Sequence, residues 1–149
     1  MSMKNKHYEY IGAFVPAIKL GEHTKELHRI ELERPILFPH ITFAYRPETV
    51  DECLFGERLS VRAIGYGCDG ENEGLLVEVY AKSNALCSMI KQIPLPHITL
   101  SVSKTGEPIN TRYLRFKEIV PFEFTAVFGG YLLDRNGPIF APPNKKDLK

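Results

Sequence analysis

Two four-residue words, His40-Ile41-Thr42-Phe43 and His97-Ile98-Thr99-Leu100, each preceded by proline, carry the groups in this chain best suited to chemistry. In an extended strand, side chains two apart share a face, with Cα atoms about 6.6 Å apart. His40, Thr42, Ala44 and Arg46 are therefore expected on one face, with Ile41, Phe43 and Tyr45 on the other. The second word gives His97, Thr99, Ser101 and Ser103 against Ile98, Leu100 and Val102. Each strand buries an apolar face and turns a histidine and a threonine the other way. If an approximate two-fold relates the strands, two imidazoles flank one phosphorus, as an in-line displacement needs. One imidazole, neutral, takes a proton from the attacking hydroxyl or water, and the other, protonated, gives one to the departing oxygen. An unperturbed pKa of about 6.5 suits imidazole to both tasks. The threonine hydroxyls donate to the non-bridging oxygens, where charge must be held. The catalytic candidates are thus His40, His97, Thr42 and Thr99, in a scheme that requires neither metal nor cofactor.

A zinc site would want three or four His, Cys or carboxylate ligands at recognisable spacings. Neither strand offers a second His or Cys in register, His23 and His28 fall on different faces of a helix, and His7 sits near the N-terminus, so no metal site is expected.

The elements that must position these strands follow from pattern. Tyr8 to Val15, rich in aromatic and β-branched residues, reads as a first strand ending at Pro16. From Lys19 to Arg34, Leu20, Thr24, Leu27 and Ile30 are spaced for one helical face, with Pro35 as terminator. Residues 40 to 45 alternate as a strand with one buried face. Leu59 to Gly67 and Gly74 to Ala81 flank the turn-forming run CDGENE and predict a hairpin. Ser83 is an N-cap for an amphipathic helix carrying Ala85, Leu86, Met89, Ile90 and Ile93, stopped by Pro94 and Pro96. Residues 97 to 102 repeat the motif strand, and Phe122 to Leu133 close the chain. The order strand, helix, Pro-His-Ile-Thr strand, strand occurs twice, in lobes about residues 8–67 and 74–133. The expected fold is α+β: bilobal, two mostly antiparallel sheets with pseudo-two-fold symmetry around a central cleft, helices outside. A single domain spans residues 1–141, and 142–149 reads as a flexible tail.

Two His-hydrophobic-Thr-hydrophobic words on strands, in a chain of this size, resemble the 2H phosphoesterase superfamily. That group includes bacterial 2′-5′ RNA ligase-like proteins and the cyclic phosphodiesterase domain of fungal tRNA ligase. It also includes plant ADP-ribose cyclic phosphate phosphodiesterases and viral enzymes that cleave 2′-5′ oligoadenylates or cyclic oligonucleotide immune signals. The resemblance covers Tyr8 to Leu133. It implies a bilobal fold with a concave, sheet-lined cleft and assigns catalytic roles to His40, Thr42, His97 and Thr99. In many members the first histidine is the base and the second the acid, an order that depends on substrate and direction. The implied activity is hydrolysis of a 2′,3′-cyclic phosphate, a 2′-5′ linkage or a cyclic oligonucleotide. The rival readings are a module that sequesters a nucleotide without cleaving it and an RNA end-ligase running the reverse transfer.

Further substrate contacts are sought on the same faces. Arg46 continues the first motif strand and is either a partner for a second phosphate or a solvated residue before Pro47. Lys104 has the matching place past the second motif, and Ser101 is a further phosphate donor on the His97 face. Tyr8 and Tyr10 share a face with Gly12 and Phe14. Tyr131 follows Gly129-Gly130, where small residues admit a ligand or another backbone. Such tyrosines either stack a nucleobase or pack the core. Arg112 and Arg115 read as the exposed side of an edge strand.

A formal net charge of +1 lacks the basic field of a long-duplex binder, leaving a nucleotide or short RNA as partner. Three cysteines without CxxC spacing indicate neither a disulfide framework nor a zinc ribbon and point to a reducing cytoplasm. No apolar run has the length of a membrane span. The oligomeric state is not readable; a monomer is the default.

Overall fold

A computed structural model describes residues 3–5, 7–133 and 137–141; the tail 142–149 lies outside them. The chain runs through β1 (Met3–Lys4), β2 (Tyr8–Phe14), α1 (Ala17–His23), β3 (Arg34–Pro35), β4 (His40–Tyr45) and β5 (Thr49–Val50). It continues through β6 (Arg58–Cys68), β7 (Asn72–Tyr80), α2 (Asn84–Lys91), β8 (His97–Val102), β9 (Lys117–Leu132) and β10 (Pro138–Ile139), with 3₁₀ turns at Glu52–Leu54 and Pro108–Tyr113. The fold is α+β and sheet-rich, and every strand pairing is antiparallel. In place of two sheets of similar size, one hydrogen-bonded path runs β3-β8-β7-β6-β9-β2-β4, with β10 on β9 and a separate β1–β5 pair. The long strand β9 joins what would otherwise be two sheets, because it pairs with β6 along its first part and with β2 along its last.

Along β6, buried Leu59, Val61 and Ala63 alternate with exposed Arg58, Ser60 and Arg62, the period of a strand with one covered face. That face continues through Ile11, Ala13, Ile41, Leu75, Val77, Ile98, Ala126 and Phe128 into one core, which Leu20 of α1 and Leu86 of α2 enter. Ser83 caps α2 by accepting from Leu86 N–H at 3.2 Å. In the β6–β7 turn, Asp69 Oδ1 accepts from the N–H groups of Glu71 and Asn72 at 2.9 and 2.8 Å. No helix among the described residues is long and apolar enough to cross a membrane.

Although four strands separate β4 from β8, their Cα atoms come within 8 Å of each other. In a flat sheet the same order would hold them roughly 24 Å apart. The sheet therefore curls until its two motif strands meet.

The helix expected over Lys19–Arg34 ends at His23 instead. Tertiary partners take over the remaining backbone. Ile30 N–H donates to the Tyr66 hydroxyl at 2.8 Å, and Leu32 N–H to Ser101 Oγ at 3.0 Å. Arg29 forks onto fully buried Glu73, its Nε 2.7 Å from one carboxylate oxygen and a terminal nitrogen 2.8 Å from the other. Tyr66 and Ser101 donate to the same carboxylate at 2.7 and 2.6 Å. Residues 29–32 are thus strapped across β6, β7 and β8.

Burial pushes the Glu73 carboxyl up, but the bonds from Arg29, Ser101 and Tyr66 outweigh it and hold the group below its ordinary 4.5. A carboxylate with a depressed folded pKa contributes stability in full above its unfolded value and loses it as pH falls through the folded one. Arg29→Met, which strands the buried charge, is expected to cost about 3–5 kcal/mol in urea unfolding at pH 7. Glu73→Gln should flatten the loss of stability below pH 4.5; an unchanged acid limb in that variant would refute the assignment.

Candidate active site

Curling of the sheet brings His40 and His97 close enough that a charge on His97 opposes protonation of His40. Their local settings match. His40 Nδ1 lies 2.9 Å from the Phe38 carbonyl and His97 Nδ1 2.8 Å from the Leu95 carbonyl, each two residues back. A carbonyl only accepts, so Nδ1 carries the proton in both rings and Nε2 is the titrating atom. The intervening prolines also play one part: Val15 N–H donates to the Pro39 carbonyl at 3.0 Å and Val77 N–H to the Pro96 carbonyl at 3.1 Å. Both rings are half-buried. Burial is the chief cause that lowers each pKa below 6.5, opposed by the backbone bond; His97 lowers His40 further, and Arg112 lowers His97.

The water that His40 loses is replaced by rings. Tyr10 stacks on it with centroids 4.5 Å apart and planes 18° from parallel, and Phe14 leans on it at 5.4 Å. Tyr131 stacks on the far side of Tyr10 at 5.1 Å. Phe38 lies 6.4 Å from Tyr131. Tyr10 and Tyr131 are thus placed beside His40. Tyr8 is not: β2 pairs Tyr8 with Leu132 and Tyr10 with Tyr131, so Glu9 is an extra residue and the two tyrosines take opposite faces. Tyr8 is buried in the core, edge-on to Phe55, with its hydroxyl on Glu52. The space left by Gly129 and Gly130 holds the chain's own Phe140 and Tyr8 rings.

The same irregularity interrupts both motif strands at one place. Between β2 and β4 the register steps from Ile11↔Ala44 to Gly12↔Thr42, leaving Phe43 unpaired; between β7 and β8 it steps from Glu73↔Ser101 to Gly74↔Thr99, leaving Leu100 unpaired. A bulge shifts parity by one. Ala44 and Ser101 therefore turn to the core face, and the chemical face reduces to His40 and Thr42 with His97 and Thr99. Ser101, fully buried and committed to Glu73 and Leu32, is no phosphate donor. Arg46 follows β4 with φ 44°, exposed, its guanidinium 5.7 Å from the Tyr45 ring centroid. It lines a shallow depression with Lys4, Tyr8 and Glu48 that includes neither histidine. Lys104 is exposed, its N–H bonded to Glu33, and it lies past the end of β8 opposite to His97.

Thr42 is half-buried beside His40. Thr99 Oγ1 lies 2.7 Å from Thr111 Oγ1 and 3.2 Å from the Pro108 carbonyl, both in the 3₁₀ turn. That turn replaces the expected edge strand around Arg112, and the charge of Arg112 reaches His97. Its position depends on a contact distant in sequence, which strand patterning does not reveal.

Among the described residues no cluster of three His, Cys, Asp or Glu is placed to hold a metal ion. Comparison with protein-family models and with curated proteins returns no match.

Both histidines should titrate below 6.5 when followed by their ring-proton NMR signals. Since burial outranks the His97 charge, Tyr10→Ala should raise the His40 midpoint more than His97→Gln does. The reverse order would contradict the ranking.

Proposed function

We propose that the chain is a metal-independent phosphodiesterase of the 2H type. It acts on RNA or nucleotide phosphodiesters, whether a 2′,3′-cyclic phosphate, a 2′-5′ linkage or a cyclic oligonucleotide. The observation that carries this reading is the pair of imidazoles, each with Nδ1 tied to the backbone carbonyl two residues back, which leaves two Nε2 atoms as the titrating groups of one site. One Nε2 accepts the proton of the attacking water as its oxygen bonds to phosphorus. The other, protonated, gives its proton to the leaving oxygen as that bond breaks. The protonation states are exchanged after one turnover and reset through solvent. Thr42 donates to a non-bridging oxygen. The Tyr10–Tyr131 stack beside His40 offers a flat aromatic edge to a nucleobase.

The same reading takes the chain as two pseudo-equivalent halves about a central cleft, with helices outside. In its support, β4 and β8 each stand two strands out from the central β6–β9 pair, and their carbonyl bonds and bulges fall at matching positions. It also places the protein in the cytoplasm, as free Cys53, Cys68 and Cys87 favour.

On this reading His40→Ala and His97→Ala each reduce turnover by about 10²–10⁴-fold, while EDTA has no effect. A panel of 2′,3′-cyclic nucleotides, 2′-5′ oligomers and cyclic oligonucleotides, resolved by chromatography, supplies the assay. The profile of kcat/KM against pH should be a bell centred on the acid side of 6.5, because both pKa values are lowered; its limbs belong to the coupled pair. Wild-type rates in either variant, or ligand that is bound and returned intact, would overturn the proposal.

A further inference from the structure

The two halves differ in what surrounds their threonine. The single hydroxyl proton of Thr99 has two acceptors in the protein, Thr111 Oγ1 and the Pro108 carbonyl. The turn that supplies them is docked firmly on β7 and β8. Thr111 is fully buried, and its methyl group occupies the place where a Cβ on Gly74 would stand. Asn72, also buried, donates to Thr111 Oγ1 at 3.0 Å and to the Glu107 carbonyl at 2.7 Å. Arg112, the next residue, is thereby held at the His97 end of the site. A terminal nitrogen of its guanidinium donates to the Tyr113 hydroxyl at 2.9 Å, and its Cζ sits 4.9 Å from the Tyr113 ring centroid. The side chain is exposed, and among the described residues no carboxylate is within ion-pair distance of it.

We propose that Arg112 is a further substrate-binding residue. Its guanidinium takes a non-bridging oxygen of the phosphodiester lying between His40 and His97, the place that the Thr99 hydroxyl is held away from. This rests on the phosphodiesterase reading for the identity of the ligand, but the anion site itself rests on geometry. Arg112 follows Thr111, whose hydroxyl lies 2.7 Å from that of Thr99, two residues along β8 from His97, and its charge opposes protonation of His97. Two cations so placed repel each other until an anion lies between them, and a guanidinium suits phosphate oxygens in fixed fork geometry. Thr99 then acts as a positioning residue for the turn.

Inorganic phosphate is the probe, titrated into the full chain while the His40 and His97 ring signals are followed by NMR. Wild-type protein should show a saturable response at both rings. Arg112→Gln should weaken phosphate about 10- to 100-fold, and Arg112→Lys should restore part of the loss. Neither variant should shift the thermal midpoint, since Arg112 is exposed. Wild-type affinity in Arg112→Gln overturns the inference and leaves the enzyme reading standing. Turnover that survives in His40→Ala, with Arg112-dependent phosphate binding intact, sinks the enzyme reading and supports the anion site. No response of either ring in the wild-type protein overturns the anion site.

Discussion

Closure of the curled sheet is the constraint on which the site depends. His40 and His97 stand on strands with four others between them, and no local feature of either strand brings them together. The apolar faces do so: Ile41 and Ile98 are both fully buried in one core with β2, β6, β7 and β9. Burying those faces leaves His40 and His97 on the opposite face, and the curl that brings β4 within 8 Å of β8 closes that face on itself. The strap held by Arg29 and Glu73 reinforces this from one end, because it ties residues 29–32 to β6, β7 and β8 just before the chain enters β4. A buried ion pair is a weak source of net stability. Its effect here is one of registry, since a carboxylate that accepts from three side chains can do so in one arrangement.

Bulges turn that convergence into a site of limited extent. In a regular strand the face bearing His40 would continue through Ala44, and that bearing His97 through Ser101. The extra residues at Phe43 and Leu100 end both faces after the threonine and return the following side chains to the core. The cost is one ladder position in each strand. The result is a pair of short polar patches framed by apolar packing, which leaves the imidazoles half-buried and lowers their affinity for protons.

Much of this was legible in the residues. The strands at residues 40–45 and 97–102, the CDGENE hairpin and the Ser83-capped helix are local signals, and the structure has each element where the pattern puts it, although alternation within the two strands holds only as far as the threonine. What escaped was set at a distance. The apolar spacing of Leu20, Thr24, Leu27 and Ile30 suits a helix, but the N–H groups of Ile30 and Leu32 find partners on Tyr66 and Ser101. Parity arguments failed at Arg46, Ser101 and Tyr8 for one reason: a bulge leaves no mark on composition, and it reverses every inference beyond it. Arg112 escaped because its place follows from Thr111 packing over Gly74.

The two imidazoles are alike in backbone setting and unlike in side-chain setting, a difference that the proposed acid and base would need. Two groups in identical surroundings share their protons evenly, whereas environments that respond differently separate the roles. His40 is depressed mainly by burial, with Tyr10 and Phe14 covering its ring, and further by the charge of His97. His97 is likewise depressed mainly by burial, and further by the charge of Arg112. A neighbouring charge, unlike a stacked ring, is cancelled by an anion. An anion beside the rings would therefore ease protonation at both, and what distinguishes two histidines that the backbone holds in the same way is the pair of rings packed on His40.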